Sequence, residues 1–180
     1  MSLLTPMLRS SPLSDWFSDA QRVQGMLDFE AALAQAQAAC GMVPPEAVGP
    51  IVAACRHEAI DFAALGEAAV GAGNLAIPLV KQLTAQVKAQ DPEAARYVHW
   101  GATSQDVIDT GLVLQLRGAL DAAETLLEQL LAALALQADR YRDAVMPGRT
   151  WMQHALPVTF GLKLAGTLDA LLRWQQRLRE

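Results

Sequence analysis

Apolar residues recur at three- and four-residue steps along almost the whole chain, the spacing that puts them on one face of an α-helix. Ser14-Asp15 reads as the cap of a helix running through Trp16, Val23, Met26, Leu27 and Leu33 to Cys40, with Gly41 in the place where helices often end on glycine. Pro44-Pro45-Glu46 opens a short second helix, since proline in a first turn lacks only an N–H that would be unpaired anyway. Asp61 caps a helix over Phe62–Ala69, and Gly71-Ala72-Gly73-Asn74 breaks the pattern. Helix resumes at Ile77 or Pro78 and runs to about Gln90, where Asp91-Pro92 stops it.

Tyr97 to Ser104 has no helical period and reads as a loop. The longest regular element follows, from about Asp106 to Arg142, with Ile108, Leu112, Leu116, Ala119, Ala123, Leu126, Leu130 and Leu134 as its apolar face. Such a helix is ~55 Å long at 1.5 Å per residue, more than a globule of this size needs. Met146-Pro147-Gly148 ends it, Arg149 to Leu156 reads as a second loop, and Pro157 opens an amphipathic helix still running at Glu180. No stretch alternates apolar and polar residues cleanly, so essentially no sheet is expected. The fold class is all-α: a compact helical domain over residues 1–105, then two long helices over 106–180 that form half of an antiparallel bundle.

Composition sharpens this picture. Of 180 residues, 52% are hydrophobic and only 18% charged, which excludes disorder. So apolar a chain is expected to have helical faces covered by something outside these residues, either further chain or sister subunits. No uncharged run is long enough to span a membrane, and Met1 to Arg9 lacks the plan of a signal peptide. Cys40 and Cys55 stand far apart, so a reduced, cytoplasmic protein is expected. A formal charge of -5 without a Lys/Arg cluster gives no support to nucleic-acid binding. The histidines are scattered with no metal-ligand spacing, so no metal is expected.

Polar residues concentrate in the two loops, each placed just before a long helix, where unpaired N–H groups and the positive end of the dipole favour anions. The first is His99-Trp100-Gly101-Ala102-Thr103-Ser104-Gln105-Asp106; the second is Gly148-Arg149-Thr150-Trp151-Met152-Gln153-His154-Ala155-Leu156-Pro157. Plainer explanations compete. Thr103 and Asp106 have capping-box spacing, His154 fits an ordinary loop histidine, Trp151 fits a core residue, and His57 fits a solvated surface position. Spacing alone leaves both readings open.

His99 to Thr110 resembles the first conserved region of the fumarase/aspartase superfamily, whose Gly-x-Thr-Ser element binds a substrate carboxylate. Gly148-Arg149-Thr150 with Gln153-His154-Ala155-x-Pro157 resembles the second region, and Phe29-Glu30-Ala31-Ala32-Leu33-Ala34 resembles the opening helix. The superfamily's lyases usually carry histidine directly after Gly-Arg-Thr, where Trp151 stands here, so the lyase histidine's role does not transfer to Trp151. That departure, Gly101 to Thr110, and Asn74 to Val80 are similar to the carboxymuconate cycloisomerase branch.

The resemblance implies an intramolecular lyase: a carboxylate of 3-carboxy-cis,cis-muconate adds across a conjugated double bond to give a carboxymuconolactone, in protocatechuate breakdown. The lyases expel a poor leaving group that benefits from a general acid. Lactone opening expels a carboxylate of pKa ~4, which departs unprotonated. By resemblance, Ser104 and His154 are the catalytic candidates, and Thr103, Gln105, Asn74, His99, Thr150, Trp151 and Gln153 the substrate-binding ones. The two turns are expected to serve one multiply negative acid. No cofactor is implied. The partners implied are a small tricarboxylate substrate and sister copies, since family sites are built from three subunits of a tetramer. The family's Gly-Ser-Ser-x-Met-Pro-x-Lys-x-Asn loop, bearing the proton-transferring serine, is absent from these residues, so the chain is expected to be an inactive fragment. The alternatives are another lyase of the superfamily, such as adenylosuccinate lyase, and a non-catalytic helical oligomerisation module.

Overall fold

The computed structural model describes residues 11–180; the reading of Met1 to Arg9 lies outside them. The chain divides into two compact units, one ending at Gly118 and one beginning at Ala119.

In the first unit, helix α1 spans Asp19–Ala39. Ser14 and Asp15 do not cap it. They lie in a separate 3-10 turn, Ser14–Phe17, and the cap is Ser18, whose hydroxyl accepts from the Gln21 N–H at 3.3 Å. At the other end Gly41, with φ at +71°, lets the Gly41 and Met42 N–H groups bond back to the carbonyls of Ala38 and Gln37 at 3.0 and 2.8 Å. These two bonds form a Schellman stop. Helix α2, Pro45–Ala54, begins at the expected proline. Helix α3, Phe62–Ala72, is capped by Asp61, which accepts from the Ala64 N–H at 3.0 Å, and outruns the expected Ala69 because Gly71 stays helical and Gly73 makes the left-handed stop. Helix α4 is Ala76–Gln90, and Asn74 Oδ1 accepts from the Ile77 N–H at 3.1 Å in its first turn. Val23, Leu27, Val43, Ile51, Leu65, Leu79, Leu83, Val87 and Val107 interlock as the core of this unit.

Helix α5, Ser104–Arg140, is 37 residues long, as the periodicity indicated, though it starts and ends two residues early. Its buried face in the first unit is not the leucine stripe. Val107, Gly111 and Gln115 point inward, whereas Leu112 and Leu116 remain more than two-fifths exposed. Glycine decides this: a Cβ on Gly25 would lie 2.7 Å from the Gly111 carbonyl oxygen, so α1 and α5 cross backbone to backbone. Gln115 then donates to the Trp16 carbonyl at 2.8 Å, while the Trp16 ring covers Gly118.

The second unit corrects the sequence reading most. Residues expected to form a loop make an antiparallel hairpin, β1 Val145–Thr150 and β2 Gln153–Thr159, so a small sheet exists where essentially none was expected. Helix α6, Phe160–Arg179, starts three residues after Pro157, and its cap is Thr159, which accepts from the Leu162 N–H at 3.1 Å. It runs antiparallel to the last part of α5, the half-bundle anticipated. Gly161 presses on the Ala138 carbonyl at one end, and Arg179 pairs with Glu124 and Glu128 at the other. Leu120, Leu126, Leu130, Leu136, Leu172 and Trp174 are exposed in this chain. No helix among the described residues is long and apolar enough to cross a membrane.

Candidate active site

The loop preceding α5 is held from beneath by two buried polar residues of α1. Glu30, 1% exposed, meets His99 Nδ1 through Oε1 at 2.6 Å. Gln37, one heptad on, donates from Nε2 to the Trp100 carbonyl at 2.6 Å. Between these anchors the backbone turns sharply, with φ of +58° at His99 and +71° at Gly101. Left-handed φ is costly for a side chain with a Cβ, so the anchors hold a conformation that His99 would not keep alone. Burial raises the Glu30 carboxyl above its usual range, and the hydrogen bond and charge of His99 only partly oppose this.

At the α5 N-terminus, Asp106 accepts from the Thr103 N–H at 2.8 Å and the Thr103 hydroxyl at 2.9 Å. The Thr103 N–H, then its hydroxyl, hold the Asp106 carboxyl below its usual range, with a smaller contribution from His99. Thr103 therefore spends both of its donors inside the chain, as the capping explanation foresaw. Donors left for an anion are the hydroxyl of half-buried Ser104 and the first-turn N–H groups that no α-helix satisfies internally. Gln105 donates to Asp109 at 2.6 Å. Beside the loop a groove of about 380 Å3 is lined by Trp100, Gly101, Ala102, Asp106, Thr110 and Gln37 among others. Asn74 lines a separate cleft of about 290 Å3 with Arg22, Met26, Leu75, Ile108, Leu112 and Gln115.

The second unit holds the remaining candidates on its hairpin. Cross-strand pairing sets Thr150 opposite Gln153 and Arg149 opposite His154. Trp151 and Met152 form the two-residue tip, both with positive φ (43° and 62°), as a primed hairpin turn demands. Trp151 is 91% exposed, so the core explanation for it fails. Gly148 sits where the register slips, and a Cβ there would lie 2.6 Å from the Leu156 carbonyl. Arg149 and Lys163 line a groove of about 340 Å3 at the side of the hairpin, a cationic pair suited to carboxylates.

Sequence reasoning passed over Glu30, Gln37 and Lys163 as functional positions. A signal existed for the first two: they share the spacing of Val23, Leu27 and Ala34, so each places a polar group on a buried stripe. His57 was read as solvated, yet it is half-buried, its N–H donating to Gln24 at 3.0 Å and its ring Nδ1 lying 3.1 Å from the same oxygen. Among the described residues no group of three or more His, Cys, Asp or Glu is arranged to hold a metal ion.

A capped polar turn leads into one long helix and an Arg-Thr hairpin into another, and over these elements the lyase family model matches residues 8–180; the chain belongs to that family. It is similar to the 3-carboxy-cis,cis-muconate cycloisomerase of Pseudomonas aeruginosa, 61% identical over 171 residues, covering 95% of this chain and 37% of that protein. The Bradyrhizobium diazoefficiens protein of the same name is 55% identical over 177 residues, covering 98% of this chain and 39% of its own. The crystal structure of the 3-carboxy-cis,cis-muconate lactonizing enzyme from Pseudomonas putida superposes with a TM-score of 0.96 at 54% identity, covering 99% of this chain and 41% of that one. The chain thus spans about two-fifths of the length of these relatives.

Proposed function

We propose that this chain is part of a carboxymuconate cycloisomerase. A carboxylate oxygen of 3-carboxy-cis,cis-muconate forms a C–O bond to an alkene carbon. The displaced electron pair becomes a carbanion delocalised into a neighbouring carboxylate, and a proton adds to the adjacent carbon, so the product lactone is an isomer of the substrate. The demanding species is the doubly charged aci-carboxylate, whose stabilisation calls for donors fixed in advance. The observation that carries this reading is the α5 N-terminus: a loop clamped in a left-handed turn ends on Ser104 and on unpaired helical N–H groups. The similarity to cycloisomerases supports the substrate.

Ser104 and the first-turn N–H groups bind and stabilise the carboxylate, with Thr103 holding Asp106 and His99 and Gln105 flanking. Gln153 and His154 orient substrate or move a proton, Thr150 supports them, and Trp151 shapes the pocket. Asn74 is a weaker substrate contact, since it stands in another cleft. The whole protein acts in the cytoplasm as a homo-oligomer, a tetramer as in the family, without a cofactor. The exposed leucines of α5 and α6 are consistent with such assembly.

An absorbance assay of the full-length protein tests this. It is expected to consume carboxymuconate and leave adenylosuccinate untouched; the reverse result means a different lyase. Because Gly-Ser-Ser-x-Met-Pro occurs nowhere in these 180 residues, the chain alone is expected to show no turnover, and measurable lactonisation by it contradicts that expectation.

A further inference from the structure

The Glu30–His99 pair is an odd use of a core. Glu30 is buried on the stripe that otherwise carries Val23, Leu27 and Ala34, and its Oε2 has no hydrogen-bond partner among the described residues. Burying a carboxylate costs several kcal/mol before pairing recovers any of it, and a well-packed apolar residue at such a position is often as stable or more so. Stability therefore does not account for Glu30. Pinning the loop is work it shares with Gln37, which bonds the Trp100 carbonyl at 2.6 Å. What Glu30 adds is direction. Its Oε1 lies 2.6 Å from Nδ1, and the His99 side chain remains 18% exposed.

We propose that Glu30 is a positioning residue acting through His99: it holds the imidazole with its proton on Nδ1, so that Nε2 is the ring atom left to the substrate. A carboxylate that fixes a histidine's tautomer and orientation without touching substrate does the same work beside many reactive imidazoles. When Nε2 takes a proton from water, the ring carries two N–H groups, one to Glu30 and one for a substrate carboxylate. No bond to carbon is made or broken by the pair. The inference rests on the reading of the His99–Gln105 loop as a substrate-binding element.

Two measurements on the full-length protein separate the inference from that reading. Nitrogen NMR of the neutral His99 ring is expected to show a protonated Nδ1 and an unprotonated Nε2; the opposite tautomer overturns the proposal, whether or not the protein turns over carboxymuconate. In kinetics with carboxymuconate, Glu30→Gln is expected to raise KM about tenfold with kcat within about threefold. The double variant Glu30→Gln/His99→Leu is expected to be no worse than His99→Leu alone. Additive losses, or an unchanged KM in Glu30→Gln, overturn it, because a residue that only supports the fold does not act through one ring. If the wild type does not lactonise at all, the functional reading falls, and the ring tautomer still decides the role of Glu30.

Discussion

Single residues carry the sharpest consequences. Burial, chiefly, raises the Glu30 carboxyl above the ordinary 4.5. A raised carboxyl favours the fold fully below the unfolded value and loses that contribution as pH rises through the folded one. The full-length protein is therefore expected to lose thermal stability relative to its Glu30→Gln variant as pH climbs from about 4.5 toward neutrality; melting curves of both across that range check it, and a constant gap contradicts it. Burial, followed by the charges of Glu30 and Asp28, pushes the Cys55 thiol up to about 12, whereas Cys40 is exposed. Thiolate is the reactive form, so a thiol reagent at neutral pH is expected to label Cys40 and to spare Cys55 until the protein unfolds. Mass spectrometry of the labelled peptides reads this directly.

Among the elements, what the sequence displayed and what it hid follow from where each buries its surface. Helices α1 to α4 were legible because each packs one apolar stripe into a shared core. Helix α5 was legible in length, whereas the face it packs in the first unit was not. Leucines dominate the pattern, whereas the contact is made by Val107, Gly111 and Gln115, since glycine is what permits the close crossing. Gly25→Ala is accordingly expected to destabilise the protein by about 1–3 kcal/mol, the usual cost of overpacking, because its new methyl meets a backbone carbonyl that cannot swing away. Denaturant melts would show it, and a neutral outcome would mean the crossing is looser than 2.7 Å implies. The hairpin was invisible for opposite reasons. Its strands carry Pro147 and Pro157, slip register at Gly148, and turn through Trp151-Met152 without the Asn-Gly signature. Most of its residues are exposed, so no core imposes a two-residue alternation. Glu30 stayed hidden because a glutamate in a helix resembles a solvated one until its stripe is traced.

At the scale of the molecule, the two units each present one polar turn ahead of a long helix, and the resemblance had singled out both. Motif and order were readable in the residues. Which donors stay free was not, because that depends on Asp106 taking both Thr103 donors. The consequence is a shift of weight from Thr103 to Ser104. The central claim is that the start of α5 holds a substrate carboxylate, and Ser104→Ala in the full-length protein tests it most directly. Removing one fixed donor to a developing anion typically costs ~100-fold or more in turnover, so a fall in kcat of about that size with carboxymuconate is predicted, at a melting temperature close to that of the wild type. Unchanged turnover, or a loss matched by unfolding, would reduce Ser104 to an ordinary first-turn residue of the helix and contradict the account.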